Sequence, residues 1–400
     1  MPEEIPRREA FDGLIRVGVT GTNGKTSTTD MLAALLSLLQ EPVARSTTLG
    51  YFLGQEPLAV PPHYPGFVAM MQRCVAGGGR YAVLELTSEA LARGFAKSWP
   101  CRVAAFTNLS LDHSDAHGSL EHYLASKAQL FMTLEDGGTA VLNGCDSHAE
   151  LLTDVLPPGV DVVRYGVASR GEAWAPLDLA ATAVEVSLAG TSAELSPSER
   201  FPDLPRRLQL RMIGHVFVEN ALAALGAALA LGVDAQQAVI ALSQVPPPPG
   251  RFEVVTREPC VIVDYAHTPD ALARTLATAR ELCRGRLTVV FGAGGDRDRL
   301  KRPLLGAAAK AADRIVLTSD NPRSESPVAI IEDIARGVGE RELRCEVDRE
   351  AAIRVAVSTS SVEDVIVIAG KGHEQIQHLG DGIVSFSDVA IVRSAAKSLR

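Results

Sequence analysis

The residues in this chain best suited to chemistry lie in T-G-T-N-G-K-T, residues 20–26, between an apolar run and a helix-forming stretch. Gly21 and Gly24 let the backbone turn tightly enough to aim N–H groups at phosphate oxygens, with Thr22 and Asn23 between them in the same loop. Lys25 adds a point charge near terminal phosphates, and Thr26 offers a hydroxyl to Mg²⁺. A helix beginning there directs its positive end at the anion. The spelling is unusual, because a Walker A loop would carry Gly where Val19 stands. A Gly-rich turn between strand and helix is the plain alternative, but strand, glycines, Lys and Thr occur in working order.

A phosphate loop needs a carboxylate to hold its metal, usually from a neighbouring parallel strand. Y-A-V-L-E-L supplies Glu85 inside an apolar run, where a charge needs a partner and a cation would serve. Further on, Asp112, His113, Asp115 and His117 could pass for a zinc site. Their alternation within a turn favours no tetrahedral set and no cysteine joins them. Polar residues capping the next helix are the simpler reading.

These groups need a scaffold. Short β-branched runs alternate with amphipathic ones, the pattern of a parallel sheet with crossover helices. Strands are expected at 14–20, 81–86, 103–107 and 139–143, with helices after Lys25 and Ser119. From about 161 to 212 the chain changes character: L-D-L-A-A-T-A-V-E-V-S-L-A-G and R-R-L-Q-L-R-M alternate with period two, which predicts antiparallel strands ahead of the Ala-rich stretch E-N-A-L-A-A-L-G. P-P-P-P-G at 246–250 can neither continue a helix nor join a sheet interior, so it reads as a stiff connector. A second α/β series follows in C-V-I-V-D, L-T-V-V-F-G, R-I-V-L-T-S and D-V-I-V-I-A-G. The expected fold class is α/β: a central P-loop ATPase domain with a parallel sheet over 1–245, then a Rossmann-like domain over 246–400.

Composition agrees with a globular protein, with 46% hydrophobic and 22% charged residues. No apolar stretch approaches the roughly 20 residues of a membrane span, and the charged N-terminus has no apolar leader core. A net charge of −9 argues against a nucleic-acid partner. The six cysteines are scattered without a C-x-x-C pair, which suggests buried thiols in a reducing cytoplasm.

With these pieces in order, the chain resembles the Mur ligases, specifically the MurE type, which add the third amino acid to a peptidoglycan precursor. The resemblance rests on T-G-T-N-G-K-T (20–26), F-T-N-L-S-L-D-H (106–113), A-S-K-A-Q-L-F, D-Y-A-H-T-P-D (264–270), F-G-A-G-G-D-R-D-R-L-K-R-P (291–303), S-D-N-P-R-S-E (319–325) and A-G-K-G-H-E (369–374). It implies a ligase in which ATP converts a carboxylate to an acyl phosphate that an amine then attacks. It further implies Lys25, Glu85, His113 and Lys127 as catalytic residues. Thr26 and Glu85 would hold one Mg²⁺ and His113 would help to hold a second, with Lys127 as the lysine that family members carbamylate. Asn108 and Asn220 would lie near the adenine, Arg251 and Asp264 would reach the nucleotide from across the connector, and His267 would share that edge.

The same resemblance gives an amino-acid pocket for meso-diaminopimelate or a similar amino acid. Asp320, Asn321 and Arg323 spell the D-N-P-R motif, and a planar guanidinium suits bidentate capture of a second carboxylate. Arg297, Gly370 and Glu374 match the remaining contacts, with Glu374 able to take the distal ammonium. Taken alone, D-N-P-R reads equally as a turn after a strand.

Departures gather on the acid side. The phosphate loop begins at residue 20, which is expected to leave no room for a preceding uridine diphosphate-binding domain. The family's N-T-T is replaced around Ala59-Val60-Pro61, its S-S-H is Thr87-Ser88-Glu89, an expected Arg is Phe95, and an expected Asn is Phe217. The carboxylate substrate is therefore expected to differ from the usual one or to be bound without its nucleotide, with a separate protein as one supplier of that binding. A folate-like or specialised acid and a non-catalytic ATP-binding scaffold are the competing readings. The retention of Lys25, Glu85, His113 and Lys127 speaks against the scaffold.

Overall fold

The computed structural model describes residues 11–61, 63–110, 119–168, 171–380 and 382–398. Its first part builds a sheet from β1 (Ile15–Thr20), β2 (Val43–Thr47), β3 (Gly50–Leu53), β4 (Glu56–Pro57), β5 (Tyr81–Glu85), β6 (Val103–Phe106), β7 (Thr139–Asn143), β8 (Asp161–Val167), β9 (Leu179–Ser187), β10 (Gly190–Ser196) and β11 (Arg207–Leu210). Their order is β11-β10-β9-β8-β7-β6-β1-β5-β2-β3-β4. From β2 through β9 every neighbouring pair is parallel. The strand carrying the phosphate loop, β1, thus lies between β5 and β6.

The expectation of antiparallel strands across 161–212 holds only in part. β8 runs parallel to both β7 and β9, and the antiparallel meander starts between β9 and β10. The physical reason is burial. The end of β8, from Tyr165 through Gly166 to Val167, is covered on both faces like the strands before it, whereas β9 alternates inward and outward along its second half. Period two therefore marks only the stretch whose outer face meets water.

One face of this sheet carries the helices Lys25–Leu36 and His215–Ala230. Ala221, Ala224, Ala227 and Ala228 are wholly buried. Small side chains let that helix lie close to the strands, and Leu32, Leu35 and Leu36 fill the space beside it. Each such buried leucine contributes roughly 1.5–3 kcal/mol by removal from water.

Residues 245–248 carry neither helix nor strand, and the turn that follows closes with Arg251 N–H on the Pro248 carbonyl at 3.2 Å. A second sheet then forms from β12 (Glu253–Arg257), β13 (Cys260–Asp264), β14 (Leu287–Phe291), β15 (Arg314–Leu317), β16 (Glu342–Cys345) and β17 (Val365–Ala369), in the order β12-β13-β17-β14-β15-β16. All pairs are parallel except β12 with β13. The four apolar runs singled out in the sequence are β13, β14, β15 and β17. A short hairpin, β18 (Ile376–Leu379) and β19 (Gly382–Ser385), follows, and the helix Asp388–Lys397 ends the described chain.

Candidate functional site

The loop after β1 has the backbone its glycines promise. Gly21 has φ 147° and Gly24 has φ 86°. A Cβ on Gly21 would stand 1.9 Å from Thr107 Oγ1, and one on Gly24 would stand 2.2 Å from Asn220 Oδ1. No side chain fits at either position. The end of β6 braces the loop: Thr22 N–H donates to the Asn108 carbonyl at 2.8 Å, and Asn23 N–H donates to Asn108 Oδ1 at 3.0 Å. Thr107 Oγ1 donates to the Asn23 carbonyl at 2.7 Å. Lys25 Nζ folds back onto the carbonyls of Gly21 (3.1 Å) and Thr22 (2.8 Å).

The end of β5 lies on the other side of β1, which places Glu85 beside the first helical turn. Glu85 Oε2 accepts from Thr26 Oγ1 at 2.9 Å and from Thr48 N–H at 3.1 Å. A carboxylate and a hydroxyl oxygen side by side at a phosphate loop suit a hard cation such as Mg²⁺, so these residues fit the ion. Lys127, on the helix Leu120–Met132, is 1% exposed. Its Nζ donates to the Gly21 carbonyl at 2.8 Å and lies 4.1 Å from the centre of the Tyr123 ring. His113, with Asp112, Asp115 and His117, lies outside the described residues.

The second sheet reaches the same cleft. Arg251 Nη2 donates to Thr26 Oγ1 at 3.4 Å, and its guanidinium stacks 4.1 Å from the centre of the Tyr265 ring. Asn23 Nδ2 meets Asp270 Oδ2 at 3.3 Å. Between the lobes is a cavity of about 310 Å³, lined from one side by Lys25, Thr26 and Glu85 and from the other by Arg251, Tyr265 and His267. Thr87 lines it too, accepting from Ala90 N–H at 3.3 Å as the cap of a short helix, while Ser88 is buried behind it.

Three residues expected at the nucleotide line this cleft and also serve the protein itself. Asn108 braces the phosphate loop through its carbonyl and Oδ1, and Asn220 Oδ1 packs against Gly24. Asp264, expected to reach the nucleotide, spends its carboxylate on protein groups. Oδ2 accepts from Phe252 N–H at 2.6 Å, and Oδ1 accepts from Ala266 N–H at 2.8 Å and Thr275 Oγ1 at 3.2 Å. Burial raises its pKa, and those donors with the Arg251 cation work against the rise. Its work is to set the turns that carry Arg251 and His267, whose Nδ1 lies 2.9 Å from the Tyr265 carbonyl.

A second cluster forms beyond the C-terminal ends of β15 and β17, where open parallel sheets place their ligands. Asn321 Nδ2 donates to Glu374 Oε2 at 2.9 Å, and Lys371 Nζ bridges the same pair at 3.1 Å from Asn321 Oδ1 and 2.9 Å from Glu374 Oε2. Burial pushes the Glu374 carboxyl up, but the Lys371 ammonium and the Asn321 amide outweigh it and hold the pKa below its usual value. Gly370 has φ 111°, and a Cβ there would stand 2.6 Å from Asp320 Oδ2. Arg323 Nη1 donates to the Gly295 carbonyl at 2.6 Å. Arg297 is exposed on the adjoining loop, beside Gly294.

Comparison with known proteins fits this two-lobed arrangement. A family profile described as "Mur ligase middle domain" matches residues 19–228, and one described as "Mur ligase, glutamate ligase domain" matches residues 250–372. The chain belongs to the Mur ligase family. A UDP-N-acetylmuramoyl-L-alanyl-D-glutamate–2,6-diaminopimelate ligase of Thermosynechococcus vestitus is 40% identical over 393 residues, covering 95% of this chain and 76% of that protein. The Chromobacterium violaceum protein of the same name is 40% identical, with 98% and 78% covered. A solved structure of a ligase with that name superposes with a TM-score of 0.64 at 34% identity, covering 97% of this chain and 79% of the other.

Two residues of this Mur ligase's cleft were not anticipated. Tyr265 lies inside the quoted D-Y-A-H-T-P-D motif, where an aromatic between Asp264 and His267 was a usable signal for stacking. Thr48 had none, since only the parallel pairing of β2 with β5 brings its N–H to Glu85. Arg323 also takes a backbone that sequence could not foretell, at φ 51°. A non-glycine residue there is strained by about 1–3 kcal/mol, and Arg323 is held by its N–H on the His378 carbonyl at 3.3 Å.

Proposed function

We propose that this Mur ligase joins an amino group of meso-diaminopimelate, or a close diamino dicarboxylate, to a carboxylate of a peptidoglycan-precursor-like acid, using ATP in the cytoplasm. The observation that carries the reading is the reach of Arg251 to Thr26 from across the two lobes, which gives one triphosphate cations from both sides. The relatives named above are ligases of 2,6-diaminopimelate at 40% identity, which supports the amino-acid assignment.

In the proposed reaction an oxygen of the acid attacks the γ-phosphorus while the bond to ADP breaks, giving an acyl phosphate. The amine nitrogen then attacks the acyl carbon, phosphate leaves and the nitrogen gives up a proton. Mg²⁺, when bound, neutralises charge on the phosphates. Thr26 and Glu85 would hold one such ion, and a carbamylated Lys127 with His113 a second. Lys25 would leave its loop carbonyls for the terminal phosphates, and the N–H groups of residues 21–26 would orient them. Asn321, Arg323 and Glu374 would fix the far end of the diamino acid: the guanidinium takes its carboxylate and Glu374 its ammonium.

The test is phosphate release and product mass with Mg²⁺-ATP, meso-diaminopimelate and UDP-N-acetylmuramoyl-L-alanyl-D-glutamate, beside simpler acids. Diaminopimelate-dependent release is the expected result. A strong preference for glutamate as the amino acid, or no dependence on any amino acid, would sink the proposal.

A further inference from the structure

Beneath the second cluster lies a charge pair the reaction does not use. Arg349 and Asp388 each open a helix, Arg349–Ser358 and Asp388–Lys397, and both side chains are 0% exposed. A cation at a helix N-terminus opposes the helix dipole, so helix formation does not explain Arg349. Nor does stability alone, since apolar replacements of buried ion pairs are often neutral or stabilising.

The geometry gives another reason. Nε and Nη2 of Arg349 each donate to one oxygen of Asp388, both at 2.8 Å. The remaining donors reach two carbonyls: Nη1 to Ser319 at 3.3 Å and Nη2 to Ala369 at 3.0 Å. Ser319 immediately precedes Asp320 of the D-N-P-R segment, and Ala369 immediately precedes Gly370 of G-K-G-H-E. One rigid guanidinium therefore ties together the exits of β15 and β17, the two points from which both halves of the amino-acid pocket depart. Asp388 fixes the plane of that guanidinium. It lies beyond residue 372, where the family match ends.

We propose that Arg349, oriented by Asp388, is a positioning residue that sets the spacing between the D-N-P-R and G-K-G-H-E segments and thereby the fit of the diamino acid. This rests on the ligase reading above. The C-terminal helix accordingly acts on the amino-acid site through the Asp388–Arg349 pair.

The test compares wild type with Arg349→Lys and Asp388→Asn, and with a paired apolar replacement, Arg349→Met with Asp388→Leu, for the case in which a single change prevents folding. Ser358→Ala, at an exposed position of the same helix whose hydroxyl bonds only to the Val355 carbonyl of that helix, is the control. Lysine keeps the charge but loses the planar fork. KM for diaminopimelate should rise about tenfold or more in the pair variants, the scale of losing a hydrogen bond to a charged group, while KM for ATP stays within about twofold. Amide exchange should quicken in residues 319–323 and 370–374 and stay unchanged in the first sheet. Equal rises in both KM values, or a fall in Tm with diaminopimelate KM unchanged, would overturn the inference while leaving the ligase reading intact. Wild-type protein that releases no diaminopimelate-dependent phosphate would overturn both.

Discussion

Arg251, which opens the second lobe, places its Nη2 3.4 Å from Oγ1 of Thr26, the hydroxyl that follows the phosphate-loop lysine. Neither lobe by itself surrounds the cavity between them. The cation is held in its pose by the Tyr265 ring, and the Tyr265 turn is in turn fixed by Asp264.

Replacing Arg251 with Ala should therefore lower kcat/KM for ATP by about 10²–10³, the scale of losing one charge-stabilising donor. The melting temperature should hardly move, because the guanidinium borders the open cleft between the lobes. Steady-state phosphate release at varied ATP reads the first effect and calorimetry the second. An unaltered ATP dependence would mean that the lobes do not share one triphosphate.

Glu85→Gln removes the charge but keeps the shape, so Thr26 and Thr48 retain an oxygen to contact. The Mg²⁺ concentration for half-maximal activity should rise about tenfold or more if Glu85 is a ligand, following the general sensitivity of metal sites. Titration with Mg²⁺ at fixed ATP measures this.

Lys127→Ala should abolish turnover, and a short carboxylic acid added to the variant should restore part of it by replacing the carbamate. Full activity in the uncomplemented variant would leave the buried ammonium with a packing role against Tyr123 and the Gly21 carbonyl.

Arg323→Lys tests the bidentate grip. A charged hydrogen bond contributes about 1.5–3 kcal/mol, so kcat/KM for meso-diaminopimelate should fall about 10- to 100-fold. Discrimination against L-lysine, which lacks the second carboxylate, should narrow by the same factor. Competition assays with both amino acids would show it.

Stability should respond to acid through His373. Burial, and next the Arg251 cation, push its pKa down from 6.5 to about 4, and its Nδ1 has no hydrogen-bond partner among the described residues. Between those two values the unfolded chain binds a proton that the folded one refuses. Stability therefore rises with pH across that window and is lost as pH falls through it. His373→Gln should flatten the dependence of Tm on pH there, measured by calorimetry from pH 4 to 7.

Much of this molecule was legible in its residues. The phosphate loop, the flanking strands and the four apolar runs of the second sheet declare themselves through local spacing, whereas the D-N-P-R and G-K-G-H-E segments stand out only through the family resemblance. Apolar runs buried on both faces and glycines required by close backbone approach are properties of a few neighbouring residues, and a sequence records such properties directly. The antiparallel reading of residues 161–212 failed at β8 because alternation and parallel pairing are both compatible with a short half-polar run, and only the covering helix decides between them.

What the tertiary structure decided is which distant residues meet. Sequence supplied Asn108 and Asp264 as polar residues in motifs; strand order made the one a brace for the phosphate loop and the other an anchor for the Arg251 turn. Thr48 and Glu85 are brought together by the pairing of β2 with β5, and Arg349 joins Ser319, Ala369 and Asp388 across three separate elements. Such contacts depend on the packing of whole strands and helices, whose register is set by burial summed over the entire sheet, so no local run of residues can specify them.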